Sequence, residues 1–377
     1  MNWQDLRALA GAGPKHPRFP TRRQRLADMK AGEKLLVVRK HGGLGDILTT
    51  SLLFPSLIEQ YPGIDVTYAI PDYYFPLFEG NSVGLKLASY DEVYGPVRDE
   101  RGVHCGPESD YHEGWLRKGV LDAYDLVEDI SFPCNTWERL MIKYGGVSDA
   151  DADKDPGKLR WRNRLDRWAR WIGVNIPDDA RTIIRLKDGE VRVARRRMAT
   201  DDRPVAVWSP VSAIRNRSYP WFREVRSLLE KDGFNVWYLH NEYLGPQTLT
   251  DLSLRQMGAA VAAADIVISV DTATFHWGGI LDKPTLGLFN LLLGSSHSRY
   301  YPTATALQLC DTPCIGSRYD LSHASRCEKW YNGGAAPRGP KGEAFSKCFH
   351  PSSLGSIVKA VRIMTPEVRR RRRRAEA

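Results

Sequence analysis

No stretch of this chain approaches the roughly 20 apolar residues that a helix needs to cross a bilayer. The first 30 residues also lack the apolar segment of a secretory signal. They are polar and basic, and Pro14, Pro17 and Pro20 interrupt them. The expectation is a cytoplasmic protein with no transmembrane segment, for which peripheral contact with a membrane stays open. Six cysteines in 377 residues are too few for a disulfide scaffold. No motif recurs at a fixed period, which argues against a solenoid or propeller. The turn Gly42-Gly43-Leu44-Gly45 is not the G-x-G-x-x-G of a dinucleotide-binding loop, and no Lys-Ser/Thr follows it as in a Walker A loop.

What the chain does have is length and positive charge. Its 377 residues suit two domains of roughly 150 residues each rather than one core. Lys and Arg exceed Asp and Glu by 9, and much of the excess is local, in 195–197 and in the unbroken arginine run 369–374. Such an excess favours anionic partners: nucleotides, nucleic acid or an anionic membrane surface.

Hydrophobic periodicity sets out the order of elements. Residues 34–39 are a short apolar run ended by glycines, the pattern of a buried parallel strand. Ile47, Leu48, Leu52, Leu53, Leu57 and Ile58 then recur at helical spacing until Pro62-Gly63. Alternation over 64–70 predicts a second strand, completing a βαβ unit. In the second half strands are expected over 204–208, 234–239, 265–270 and 284–289. Helices are expected over 221–231, 254–263 and 274–281, which together make a doubly wound parallel sheet. The division expected is a basic arm at 1–32, a Rossmann-like domain at 33–195 and a second at 203–349. A closing helix over 350–365 and a disordered arginine-rich tail at 366–377 follow, and the highly charged 186–203 serves as the connection.

Three turns carry residues suited to chemistry. Gly42, Gly43 and Gly45 follow the first strand and open a helix, so backbone can come close to a ligand there. Asp46 stands where the helix dipole favours a carboxylate, at the strand end where open α/β sheets place ligands. In the second half, Ser269-Val270-Asp271-Thr272-Ala273-Thr274-Phe275-His276 also runs from a strand into a helix. Thr272 and Thr274 are candidate caps, the first N–H groups suit a diphosphate, and His276 can add a donor to a phosphate oxygen. The third turn holds Arg215 and Arg217, whose guanidinium forks match phosphate oxygens. Glu242, after the strand 234–239, is a candidate ribose contact.

Taken together, these motifs make the chain resemble the ADP-heptose:lipopolysaccharide heptosyltransferases, glycosyltransferase family nine. Gly42-Gly43-Leu44-Gly45-Asp46 resembles the family's first motif. Asp271-Thr272-Ala273-Thr274-Phe275-His276 with Lys283-Pro284-Thr285 resembles the second, and Arg217-Ser218-Tyr219-Pro220 resembles its Lys-x-Trp-Pro. The resemblance spans about 33–365. It departs from the pattern at Ala273, where the family has Gly, and at Arg217 and Tyr219, where it has Lys and Trp. It implies a GT-B fold, with two Rossmann-like domains facing across a cleft, and inverting transfer that needs no metal. Asp46 would be the general base, Asp271 would touch the donor sugar, and the Thr272–Thr274 amides with Arg217 and His276 would hold the departing diphosphate. An ADP-sugar donor and a saccharide acceptor follow by the same analogy.

Two other activities fit the residues. One is glycosylation of modified DNA bases, with the arginine tail holding phosphates. The other is a non-catalytic nucleotide-sugar-binding protein of the same fold, against which Asp46 argues. The D-x-D pattern at Asp149, Asp151 and Asp153 lies in an acidic linker and is read as a solvated loop. Cys310, Cys314, Cys327 and Cys348 can hold a structural zinc, although their spacing is looser than paired C-x₂-C.

Overall fold

The computed structural model describes residues 26–39, 43–81, 83–94, 123–130, 163–212, 217–290, 294–309, 349 and 353–376. By its contacts the chain divides into two compact units. Unit 1 holds Met1–Gly43 and Thr50–Arg185, and unit 2 holds Leu44–Thr49 and Leu186–Ala377. The expected boundary therefore moves: 186–195, assigned above to the first domain, groups with the second.

In unit 1, β1 (Lys34–Val38) is followed by α2 (Leu53–Gln60) and β2 (Asp65–Ile70), and the helix between β1 and α2, α1 (Leu44–Thr50), groups with unit 2 over Leu44–Thr49. After a 3₁₀ turn come β3 (Lys86–Ser89), α3 (Tyr90–Tyr94), β4 (Leu126–Asp129) and α4 (Arg164–Ile172). The sheet order is β3-β2-β1-β4, with all pairings parallel. β1 is central, and its Leu35, Leu36, Val37 and Val38 are fully buried, as a strand covered on both faces requires. At its end Arg39, also buried, donates to the Ile130 carbonyl at 3.1 Å and lies over the Trp168 ring at 4.1 Å. α4 starts at Asn163, whose Oδ1 accepts from the Leu165 N–H at 2.9 Å. It stops at Gly173, whose φ of 98° a side chain would oppose. The expected N-terminal arm is not peripheral at its end: Leu26 is fully buried, and the Gly32 N–H donates to the Gly63 carbonyl at 2.8 Å.

Unit 2 begins with α5 (Asp188–Met198), the segment expected to be a connection. It is held to its neighbour by the Arg255–Glu190 ion pair at 2.6 Å, which keeps the Glu190 carboxyl below its usual range. Then follow β5 (Val205–Ser209), α6 (Phe222–Lys231), β6 (Asn235–Leu239), β7 (Thr248–Leu249) and α7 (Leu254–Ala263). β8 (Ile266–Val270), α8 (Ala273–Ile280), β9 (Thr285–Phe289), α9 (Gly294–Ser298), β10 (Ala304–Gln308) and α10 (Ser353–Glu376) complete it. The sheet is parallel in the order β10-β9-β8-β5-β6-β7. The chain thus builds outward from β5 in one direction, returns, and builds outward from β8 in the other. The β5/β8 pair is the switch point at which such sheets leave a crevice beyond their carboxyl ends.

The tail is where expectation and structure part. Residues 366–376, expected to be disordered, continue α10, which runs unbroken past Pro366 to Glu376. Val368 is buried in the same core cluster as Ile357 and Val361, and Glu367 pairs with Arg370 and Arg371 at 2.8 Å. An apolar anchor and neighbouring counter-charges give the arginine run a reason to stay helical. Among the described residues, no helix is long and apolar enough to cross a membrane.

Candidate functional site

The residues singled out in the second half gather at the carboxyl ends of β5 and β8. Asp271 directly follows β8. Arg217 lies in the connection after β5. Strand pairing brings them together, and Arg217 Nη1 meets Asp271 Oδ2 at 3.0 Å, with both side chains largely covered. Arg217 and Asp271, expected to serve phosphate and sugar separately, form one ion pair. Arg217 Nε is buried without a hydrogen-bond partner among the described residues. A buried guanidinium donor in that state is costly unless something occupies it.

The turn beside it opens α8. Thr272 is the N-cap in extended conformation (φ −141°, ψ 177°), yet its hydroxyl does not cap the helix. It lies 3.0 Å from Ser269 Oγ, which donates to the Val270 carbonyl at 2.7 Å. Ala273 is the first helical residue and Thr274 is buried within the first turn, so Thr274 is not a cap. α8 is buried on nearly every side, from Thr274 to Ile280, as expected of a helix lacking a polar face.

Gly45 and Asp46 belong to this same unit, because the segment Leu44–Thr49 groups with it by contact. A Cβ on Gly45 would stand 2.6 Å from His276 Cδ2 and 3.2 Å from His276 Nε2, so only glycine lets α1 come this close to α8. Asp46, half-buried, is the next residue, and its carboxylate charge reaches the hydroxyl of Tyr301. Tyr301 is a residue that sequence reasoning missed. It is buried, and burial pushes its phenol well above the usual range, with the Asp46 charge adding to the rise. Its hydroxyl lies 2.9 Å from His276 Nδ1 and 3.2 Å from Thr49 Oγ1. Nothing in Tyr300-Tyr301-Pro302 marks that role. Thr49 carried a weak signal, standing four residues from Gly45 on the same helix face.

Glu242 follows β6, half-buried, with its N–H donating to His240 Nδ1 at 2.9 Å. Tyr219, in the motif compared with Lys-x-Trp-Pro, is fully buried against Trp208 and Phe349. Its hydroxyl lies 2.7 Å from Ser353 Oγ, and burial pushes its pKa up to about 12, so it anchors the start of α10. Gly43 is exposed before α1. Gly42, Arg215, the acidic 149–153 segment and the candidate zinc ligands Cys310, Cys314, Cys327 and Cys348 lie outside the described residues.

No family model matches the chain, and no curated protein matches it in sequence. Solved structures do match in fold. A family 9 glycosyl transferase from Veillonella parvula superposes with a TM-score of 0.57 at 14% identity, covering 89% of this chain and 98% of that one. The E. coli ADP-heptose lps heptosyltransferase II superposes with a TM-score of 0.53 at 13% identity, covering 89% and 99%. The fold is that of the family-nine glycosyltransferases. In the terms of this GT-B architecture, unit 1 carries one Rossmann-like parallel sheet and unit 2 the other. The switch point of unit 2, with Arg217, Asp271 and the Thr272 turn, occupies the ligand position of a Rossmann-like sheet.

Proposed function

We propose that this protein is an inverting glycosyltransferase that moves a sugar from a nucleotide-diphosphate donor, first of all an ADP-sugar, to a saccharide hydroxyl. The observation that carries the reading is the packing of the Gly45–Asp46 turn against α8, the helix opened by Asp271 and Thr272. A carboxylate and a phosphate-type turn then belong to one unit. The shared fold with an enzyme named as an ADP-heptose transferase supports the donor class.

In this mechanism Asp46 takes the proton of the acceptor hydroxyl. The acceptor oxygen forms its bond to the anomeric carbon as the bond from that carbon to the diphosphate oxygen breaks. An alcohol becomes a competent nucleophile only as its proton leaves, and a positioned base is worth about 10²–10⁴ in rate. The negative charge collects on the diphosphate. The first N–H groups of α8 and the guanidinium of Arg217 are the groups that meet it, and no metal is needed for that step. Asp271 holds Arg217 in place through their ion pair and is assigned to the donor sugar. Glu242, beyond the neighbouring strand, is assigned to the ribose.

Thermal shift with ADP-, UDP-, GDP- and CDP-sugars tests the donor. A ligand at a hundred times its Kd stabilises by about 2.7 kcal/mol, a shift of several degrees. Asp46→Asn should keep that shift and lose transfer by about 100-fold or more. A wild-type protein that responds to none of these donors would sink the reading, and a fully active Asp46→Asn would reduce Asp46 to a helix-cap residue.

A further inference from the structure

The amino edge of the unit 2 sheet lies opposite the edge that holds Arg217 and Asp271, and two basic segments meet there. α10 crosses it on one side. Arg362 pairs with Asp232, just before β6, at 2.8 Å. Arg371 Nη1 donates to the Asp282 carbonyl, just before β9, at 2.7 Å. β6 and β9 stand three strand spacings apart in the sheet, about 14 Å, and the helix rises about 14 Å from 362 to 371. The last turns of α10 therefore run along the edge of β6, β5, β8 and β9.

α5 reaches the same edge from the other face. α10 packs on α6, whereas α5 packs on α7 and α7 on α8. The crossovers β5–α6–β6 and β8–α8–β9 run in opposite directions along the sheet, and right-handed crossovers then put α6 and α8 on opposite faces. Arg195, near the end of α5, meets Asp265 at 2.9 Å, just before β8. The Met198 carbonyl accepts from Asn235 Nδ2 at 2.9 Å, at the start of β6. Lys283, just before β9, is acted on by the charges of both Arg195 and Arg371.

The charge of the chain is concentrated in these two segments. Residues 187–203 and 359–376 hold 14 Lys and Arg against 6 Asp and Glu, which is 8 of the chain's 9 net positive charges. Several of the carboxylates are taken: Glu190 by Arg255, Asp201 by Arg203, and Glu367 by Arg370 and Arg371. Arg192, Arg196, Arg197 and Arg369 are exposed and pair with no carboxylate among the described residues. Like charges held this close repel, and a polyanion laid along the edge removes that cost.

We propose that this edge is a docking surface for a nucleic-acid duplex, held through its phosphates without reading its bases. The surface is separate from the donor site and does not depend on the transferase reading. Of the 14 cations 12 are arginine, whose fork meets two phosphate oxygens and is more weakly hydrated than an ammonium. Arginines on both sides of the edge can each take one of the strands that border a groove. A bilayer is the poorer match. The apolar stripe of α10 is spent in the core through Ile357, Val361 and Val368, and the exposed Val193 and Ile363 are single side chains. Lasting attachment to a membrane needs apolar insertion beside the basic charge.

The test follows a short fluorescein-labelled DNA duplex of mixed sequence by anisotropy, with the full chain, over a series of salt concentrations. Contacts from the four unpaired arginines predict a slope of log K against log salt of about −3.6. Arg196→Gln with Arg197→Gln should make it shallower by about 1.8, and Arg196→Lys with Arg197→Lys should keep it. Arg369→Gln alone should change it by about 0.9. Lys30→Gln with Lys34→Gln, two exposed cations of unit 1, should leave it unmoved. All these side chains are exposed, and melting temperatures check that each variant is folded. No duplex binding at low salt, a slope unmoved by Arg196→Gln with Arg197→Gln, or an equal change from the two lysines overturns the proposal. Capture by phosphatidylglycerol vesicles with no binding to the duplex overturns it too, and makes a membrane the partner.

Discussion

Gly279, in α8, shows how tightly single positions are fitted. A Cβ there would stand 2.2 Å from Cγ of the Tyr301 ring, at the fixed inner end of that side chain. Gly279→Ala gains about 0.5–1 kcal/mol in helix propensity but forces overpacking that costs about 1–3 kcal/mol. The steric term wins, so the urea midpoint should fall, and a midpoint above wild type would show that the ring has room to move. Lys283 gives a second residue-scale test. Burial pulls its ammonium down to about 8, Asp265 pulls it back in part, and Arg195 and Arg371 add to the fall. Between pH 8 and 10.5 the unfolded chain holds more of this proton than the folded one. Stability from this group therefore rises with pH, by at most about 1.4 kcal/mol per pH unit. Lys283→Met should be more stable than wild type at pH 7, and the gap in urea midpoints should close toward pH 10. A gap that stays constant would show an amine that is not desolvated. Lys283 was legible in the sequence only as part of Lys-Pro-Thr. The charges that act on it, Arg195 on α5 and Arg371 on α10, lie far from it along the chain.

Elements were legible wherever their signals are local. α7 spans Leu254–Ala263 as expected, because Ser253 and Gln256 form a capping box visible in the sequence. The strands begin one residue later than expected after Pro204 and Pro284, since a proline has no N–H to give the ladder. α10 was misjudged at its end, since an arginine run reads as solvated chain and the burial of Val368 is a tertiary fact. Burying a valine stabilises by about 1.5–3 kcal/mol, and the exposed Glu367 pairs add little beside it. Removal of 366–377 should therefore lower stability by about 2–3 kcal/mol, seen as a drop in melting temperature. A truncated chain that melts with the wild type would mean that the segment contributes nothing to the fold.

At the scale of the whole molecule, two parallel α/β units were legible because β1, β2, β5, β6, β8 and β9 carry their own period and turn residues, whereas β3, β4, β7 and β10 were not anticipated. The sequence by itself determined those elements, the glycine turn before Asp46 and the threonine turn after Asp271. It did not determine which side chains meet. Arg217 and Asp271 pair because β5 and β8 are neighbours in a sheet whose order departs from chain order. Thr49 reaches His276 across 227 residues and Tyr301 across 252. Contacts of that span follow from strand order and from the closeness that Gly45 and Gly279 permit. No local pattern encodes them, so only the tertiary structure decided that the Asp46 turn, His276 and Tyr301 come together.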